Sequence, residues 1–411
     1  MLPLSHRILA PLSALVFLAA AACGGSETSS TGGSGGTGTG GATGGTGTGG
    51  STGGTGGSTG GTGPSCASLA DATRLSHVTA SAPAVSNRAI TAQRGEGSVV
   101  AWAANDGKVH VLPLDANDTP AGAEIAVEGT QVFGVAASDG EVGLLVSRAP
   151  DFMTFTRLGP AGETLSSLDL VGGGDHATVG VEWFGEFAQT GRLVARGDGG
   201  FAAYHALHRR WPDNIGHQGD TLRLLSKDGV AEGGGWDWGC SHSMDQRLAA
   251  GPNGLVPICI ADCYPGKGIY FNHSAAEITS DPAANCAGGY STALGGLVAT
   301  AEGFFLVYGD DQGMAHLGHF DAQGAAIADV AIGGLGSSRL ARYEDGLLLG
   351  VAGNVMSGLE KLDASGAGTG EQGAVMVDLP DQDFESRSDG EVAWATANGA
   401  DITVVRVKAC P

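Results

Sequence analysis

Basic residues are scarce in this 411-residue chain, with 21 Lys and Arg against 43 Asp and Glu and a formal charge of −22. A surface this acidic repels phosphate backbones and anionic headgroups, so a nucleic-acid partner is excluded. Aromatic residues make up only 6% of the chain. Beyond the N-terminal segment no stretch carries a helical hydrophobic period, which excludes a body built from long helices. There is no G-x-S-x-G elbow, no H-E-x-x-H and no phosphate loop between a strand and a helix, so the common hydrolase, zincin and nucleotide signatures are absent. No cofactor is expected.

Glycine, by contrast, is abundant, with 73 residues. Many of them fall in residues 24–65, which are nearly all Gly, Thr and Ser. Such a segment has nothing to bury against the entropy of ordering it and reads as a flexible stalk. As a coil it spans roughly 35 Å. Ahead of it, "MLPLSHRILAPLSALVFLAAAAC" places Arg7 before an apolar stretch too short to span a bilayer comfortably, followed by small residues and Cys23. This is the layout of an export signal. The run "LAAAAC" resembles the lipobox of bacterial lipoproteins, although Ala20 stands where that family usually has Leu. The resemblance implies lipidation of Cys23 as the mature N-terminus, and Gly24 after it implies sorting to the outer membrane. The expected organisation is a signal peptide over 1–22, a lipid-anchored linker over 23–65 and a globular head over 66–411.

The head is repetitive. An acidic residue or Asn, then Gly, then an apolar run, recurs seven times, at Glu96-Gly97, Asp139-Gly140, Asp198-Gly199, Asn253-Gly254, Glu302-Gly303, Asp345-Gly346 and Asp389-Gly390. A second turn of the form "LDAxG" follows in most units, at Leu114, Leu158, Leu225, Phe320 and Leu362. Gly supplies the positive φ of tight β connections. Units of this length with four strands each predict an all-β fold, a seven-bladed β-propeller. In the sixth unit the strands read "SSRLARY", "GLLLGVAG", "GLEKLDA" and "GAVMVDL". The seventh unit runs out of chain after three strands. Leu75–Ser81, "LSHVTAS", is predicted to supply the fourth and close the ring. A disulfide between Cys66 and Cys410 would staple that closure. The architecture resembles that of bacterial extracytoplasmic propeller lipoproteins, which implies a monomeric head on the periplasmic or cell-surface side of the membrane.

Insertions interrupt the economy of the third and fourth units, all on the face where strand B meets C and D meets the next A. They carry His205, His208, Arg209, Arg210, Trp211, Asp213, His217, Asp220, Trp236, Trp238, His242, Asp245 and Tyr264. Loops on a rigid scaffold are where binding groups usually sit. Cys240, Cys259, Cys263 and Cys286 form an even set in an exported chain and read as disulfides, with Cys240–Cys259 and Cys263–Cys286 favoured among three pairings. Trp211, Trp236, Trp238 and Tyr264 can stack on sugar rings or grip an apolar group, and Arg209 and Arg210 can pair an acidic one. The expected function is therefore recognition of a glycan or protein partner at the cell surface. Two other chemistries use the same residues. Zinc is possible on Cys240, His242, Cys259 and Cys263, or on His205, His208, His217 and Asp220. A hydrolase or lyase is possible with His217–Asp220 or His242–Asp245 as its acid–base pair. The acid-rich "DLPDQDFESRSDG" before the last repeat lacks EF-hand spacing and reads as a solvated loop.

Overall fold

Short apolar runs that end at Gly-bearing turns can satisfy their backbone only by pairing with the next run, and a chain of such hairpins makes meandering sheets. The computed structural model describes residues 68–148, 153–170, 190–210, 216–237, 239–240, 245–263, 265–281, 292–352, 356–380 and 382–409, with backbone alone at 208–210 and 216–217. Residues 1–67, and with them Cys23 and Cys66, lie outside this set, as do Trp211, Trp238, His242, Tyr264, Cys286 and Cys410.

Twenty-eight strands are found among the described residues. Blade 1 comprises β2 (Ala84–Arg94), β3 (Gly97–Ala104), β4 (Lys108–Leu114) and β5 (Ile125–Glu128). Blade 2 comprises β6 (Gln131–Ser138), β7 (Glu141–Ser147), β8 (Met153–Leu158) and β9 (Thr164–Asp169). Blade 3 comprises β10 (Gly191–Ala195), β11 (Phe201–Arg210), β12 (Gly216–Leu225) and β13 (Ala231–Asp237). Blade 4 comprises β14 (Gln246–Gly251), β15 (Gly254–Ala261), β16 (Gly268–Phe271) and β17 (Ala276–Ser280). Blade 5 comprises β18 (Ala293–Ala299), β19 (Gly303–Gly309), β20 (Ala315–Asp321) and β21 (Ala326–Ile332). Blade 6 comprises β22 (Arg339–Tyr343), β23 (Gly346–Val351), β24 (Ser357–Leu362) and β25 (Gly368–Val375). Its outer strand thus starts five residues before the expected "GAVMVDL" and stops at Val375. Blade 7 comprises β26 (Glu385–Ser386), β27 (Val392–Asn398), β28 (Asp401–Val407) and, on its outer edge, β1 (Thr73–Thr79).

The fold is a seven-bladed β-propeller whose last blade takes its fourth strand from the N-terminal end of the head. Strand β1 runs antiparallel to β28 over seven residue pairs, from Thr73↔Val407 to Thr79↔Asp401. It begins two residues earlier than Leu75. Just before it, the short helix α1 (Leu69–Ala72) buries Leu69 against blade 6, and Ala72 O accepts from Lys408 N at 3.0 Å. The inner hairpins carry the sevenfold repeat. In blade 2 the connection is the two-residue turn Asp139-Gly140, both at positive φ (51° and 81°), the geometry that matches strand twist.

The core lies between the blades. Seven apolar clusters are present among the described residues, one at each junction of neighbouring blades. The cluster joining blade 7 to blade 1 packs Val78, Trp102, Ile402 and Val404, and the one joining 6 to 7 packs Tyr343, Phe384 and Trp394. Side chains alternate across each strand, so every blade buries both faces and depends on two neighbours.

The joint that no chain connection enforces, between β1 and β28 inside blade 7, is fastened by a buried charge. In the "LDAxG" turns the Asp side chain accepts from two backbone amides: Asp321 Oδ1 from Gln323 N and Ala325 N, both at 2.9 Å, and Asp363 Oδ1 from Ser365 N and Ala367 N at 2.8 and 3.0 Å. The last residue is Gly at positive φ, as at Gly324 (85°) and Gly366 (86°). Blade 1 has "LDAND" instead, and Asp118 occupies the left-handed position at φ 59°. Its carboxylate reaches across to blade 7. It accepts from Arg406 Nε on β28 at 2.7 Å, from Ser76 Oγ on β1 at 3.0 Å and from Arg74 on β1. Burial raises its pKa, but the bonds from Arg74 and Arg406 outweigh this and hold the carboxyl below its ordinary value. Arg387 adds a donated bond to Ser98 Oγ of blade 1 at 3.0 Å.

Removing Asp118 leaves Arg406 buried with only Glu391, 3.7 Å away, as counter-charge, which costs about 3 kcal/mol. Asp118→Gly also relieves the left-handed strain, worth about 1 kcal/mol. The urea midpoint is therefore expected to fall in the order wild type, Asp118→Gly, Asp118→Ala. Because the folded pKa is depressed, the stabilisation is present above about pH 4 and lost as pH falls through the folded value. Equal midpoints for wild type and Asp118→Gly would mean that the latch does not hold the ring.

Candidate functional site at the axis and the blade 3–4 junction

Strand pairing accounts for the position of the first site residues. Strands β11 and β12 have ten residues each, whereas β10 has five and β13 seven. Pairing with β10 stops at His205↔Gly191, and with β13 at Thr221↔Asp237. Among the described residues, the pairs from Ala206↔Asp220 to Arg210↔Gly216 therefore continue as a two-stranded ribbon past both neighbours. It carries His208 opposite Gln218 and Arg209 opposite His217, and it leads to the segment with Trp211 and Asp213, which lies outside the described residues. Five pairs at strand rise extend the ribbon roughly 16 Å. Its base is buried, through Leu207, Gln218 and Asp220.

His205 and Asp220 fall on opposite faces of this hairpin, since Asp220 is opposite Ala206. His205 is buried and bonds through Nδ1 to Ala206 O at 2.8 Å. Asp220 faces blade 4. It accepts from Cys240 N at 2.6 Å and from the Tyr204 hydroxyl. Burial pushes its carboxyl up to about 6 despite these bonds, and the same enclosure raises the Tyr204 phenol well above its ordinary value. Cys240 and Cys259 are disulfide-bonded, as favoured from sequence, inside the apolar cluster between blades 3 and 4. Cys263 is also disulfide-bonded. The Asp220, Cys240 and Cys259 ligand atoms lie within 4.8 Å of one another, but both sulfurs are committed to the bridge, which leaves no thiolate for zinc. Trp236 is half-buried. It packs edge-on against Tyr204 (centroids 6.2 Å apart) and His273 (5.5 Å), against the apolar cluster that holds the bridge.

The structure also assembles a site that the motif reading passed over. The inner strands of all seven blades line an axial channel of about 600 Å³. At the end where those strands begin, on the ribbon's face, Arg192, Asp245, Arg247 and Asp383 converge. Arg247 is fully buried. It donates to Gly295 O at 2.7 Å and Leu294 O at 2.9 Å on blade 5, and to Asp245 Oδ1 at 2.6 Å. Asp383 reaches across the axis from the start of blade 7, with Oδ1 3.1 Å from Arg247 Nε and Oδ2 3.8 Å from Arg192 Nε. Burial and the neighbouring Arg247 bring the Arg192 guanidinium down to about 10, against the pull of Asp245 and Asp383. Burial raises the Asp245 carboxyl, but Arg247 and Arg192 more than offset it and hold it low, which makes Asp245 an ion-pair partner rather than a base. Further along the channel Glu385 accepts from Gln93 N, and burial pushes its carboxyl up to about 7.

These residues correct one expectation. "DLPDQDFESRSDG" is not a solvated loop, for Gln382, Phe384 and Arg387 in it are buried. The stretch is the inner strand of blade 7 and its approach. It looks like a loop because only Glu385 and Ser386 pair in strand register, while Phe384 packs on Trp394 with centroids 4.6 Å apart. The signal available in sequence was Phe384 among the acids, an apolar anchor that a solvated loop has no use for.

No family model matches the chain, and no curated protein does. A similar solved structure is the WD40 domain of coronin from Toxoplasma gondii, at 14% sequence identity, covering 82% of this chain and 87% of that one, with a TM-score of 0.45. The blade count and ring closure described here rest on the strand pairing of this chain itself.

Asp220 supplies a pH test. Its folded pKa is raised, so the native state binds the proton more tightly than the unfolded chain, and stability falls as pH rises from about 4 to about 6. Two units correspond to about 3 kcal/mol. Asp220→Asn is expected to flatten that segment of the stability profile in urea titrations at stepped pH. An unchanged slope would assign the carboxyl an ordinary pKa.

Proposed function

We propose that the chain is a recognition module, carried on the outer membrane by a lipid at Cys23, that binds a glycan or protein partner through the face over blades 3 and 4. The observation that supports this best is the ribbon of β11 and β12. A propeller blade is complete once its four strands pair, and among the described residues the five pairs from Ala206↔Asp220 to Arg210↔Gly216 extend beyond the last residue pairs made by β10 and β13. A β ribbon braced at its base by a disulfide-containing core is a rigid way to present side chains, and rigidity lowers the entropic cost of binding. The residues toward its far end, His208, Arg209 and Arg210, with Trp211 next in sequence, include the types enriched at binding hot spots. Asp220 and Asp245, the carboxylates of the alternative acid–base pairs, are held by Tyr204 and Arg247 respectively. This favours binding over turnover.

Two experiments test the proposal. Replacing Arg209, Arg210 and Trp211 together by Ala is expected to weaken capture on a glycan array or in a surface-protein pull-down by at least about tenfold, with the urea midpoint unchanged. Equal capture by both forms would move the binding surface elsewhere. Cys23→Ser is expected to shift the chain from the membrane fraction to the soluble fraction of cells expressing it, and retention in the membrane would overturn the lipid anchor.

A further inference from the structure

The charged end of the channel holds an unmatched donor and an unmatched acceptor. Arg192 is more than nine-tenths buried, yet its Nε has no hydrogen-bond partner. Its Nη1 donates to Gly191 O at 2.8 Å. The neighbouring carboxylates stand off, Asp245 at 3.6 Å from Nη2 and Asp383 at 3.8 Å from Nε. Asp383 Oδ1 is likewise inaccessible to solvent and unbonded. Arg247 Nε lies 3.1 Å from it, but the hydrogen bond of that nitrogen goes to Gly295 O. Both Arg192 and Asp383 line the channel. A buried donor or acceptor without a partner costs about 1–3 kcal/mol, more when charged.

The group that satisfies both atoms must accept from Arg192 and donate to Asp383. A carboxylate accepts but cannot donate, and beside Asp245 and Asp383 it is repelled. An ammonium donates but cannot accept. A hydroxyl does both. We infer that this end of the channel binds the hydroxyl-bearing end of a sugar, the Arg192 and Asp383 side chains turning toward the channel so that one hydroxyl bridges Nε and Oδ1. The channel volume of about 600 Å³ lies within the range of small-molecule sites. Aliphatic residues such as Leu193 and Leu248 line its wall and offer apolar surface to the C–H face of a ring. This deepens the glycan arm of the proposed function and rests on it, placing a terminal sugar at the axis while the ribbon contacts the rest of the chain.

The test is calorimetric titration of the full chain, in detergent, with D-glucose, D-galactose and D-mannose, and with sodium acetate as the carboxylate probe. Saturable binding of at least one sugar is expected, with none of acetate, and with affinity changing less than about twofold between low and high salt because the hydroxyl is neutral. Arg192→Met and Asp383→Leu are each expected to weaken it at least about tenfold. Where either variant unfolds, hydrogen exchange on the native chain replaces it. Added sugar should then protect peptides spanning 190–195 and 382–388. The Arg209, Arg210 and Trp211 triple variant is expected to keep monosaccharide binding, so loss of array capture with intact sugar titration separates the two sites. No saturable sugar binding, acetate binding in its place, or sugar binding unchanged by Arg192→Met would overturn the inference.

Discussion

A ring of blades has one joint that the chain does not make by continuity, and here that joint depends on the ion pair between Asp118 and Arg406. Every junction between neighbouring blades, β1 to β2 included, follows from the chain passing from one outer strand to the next inner one. Inside blade 7 the two ends of the head, β1 and β28, must find each other. The outer strand β1 contributes seven residue pairs and the apolar cluster around Trp102 and Ile402 contributes burial. Asp118 makes the arrangement specific, because one carboxylate engages β1 through Arg74 and Ser76 and β28 through Arg406. Only a correctly registered outer strand brings these donors together. The left-handed backbone at Asp118, where sister turns have Gly, shows that this carboxylate outweighs local comfort.

Closure has a consequence at the axis. When every core lies between blades, the inner strands present only their edges to the centre, and the space left there is lined by whatever side chains stand at the strand ends. Apolar residues are drawn into the junctions, so the axial ends collect the polar ones. Arg192, Arg247, Asp245 and Asp383 come from blades 3, 4 and 7, distant in sequence and adjacent around the axis. Their pairing ties opposite sides of the ring. Its imperfect geometry is what gives the channel chemistry, since a fully satisfied cluster would have nothing left to offer a ligand.

Much of the fold was legible because turns are local. Asp139-Gly140 adopts the two-residue hairpin its dipeptide announces, and "LDASG" at Leu362 builds its turn from its own Asp and Gly. Seven such turns count seven blades, and a last unit short of a strand points to the N-terminal segment that supplies it. Irregular pieces were less legible. Blade 6's outer strand begins at Gly368, in a Gly- and Thr-rich stretch without an apolar run, because an outer edge needs backbone pairing and little burial. The Cys240–Cys259 bridge was one of three pairings, decided by β14 pairing with β15 and bringing Cys259 beside the loop that holds Cys240.

Taken alone, then, the sequence determined the class of fold, the number of repeats and the strand that closes the ring. All of these follow from short-range rules of turn chemistry and alternation, which act within a few residues. Tertiary structure decided that Trp236 leans on Tyr204 and His273, that Asp220 is enclosed and raised in pKa while His205 faces away from it, and that an apparently solvated acidic stretch delivers Asp383 to the axis. Those outcomes depend on which side chains meet across blade junctions and across the ring. Such meetings join residues as far apart as Arg192 and Asp383, and only the closed circle of blades brings them within reach.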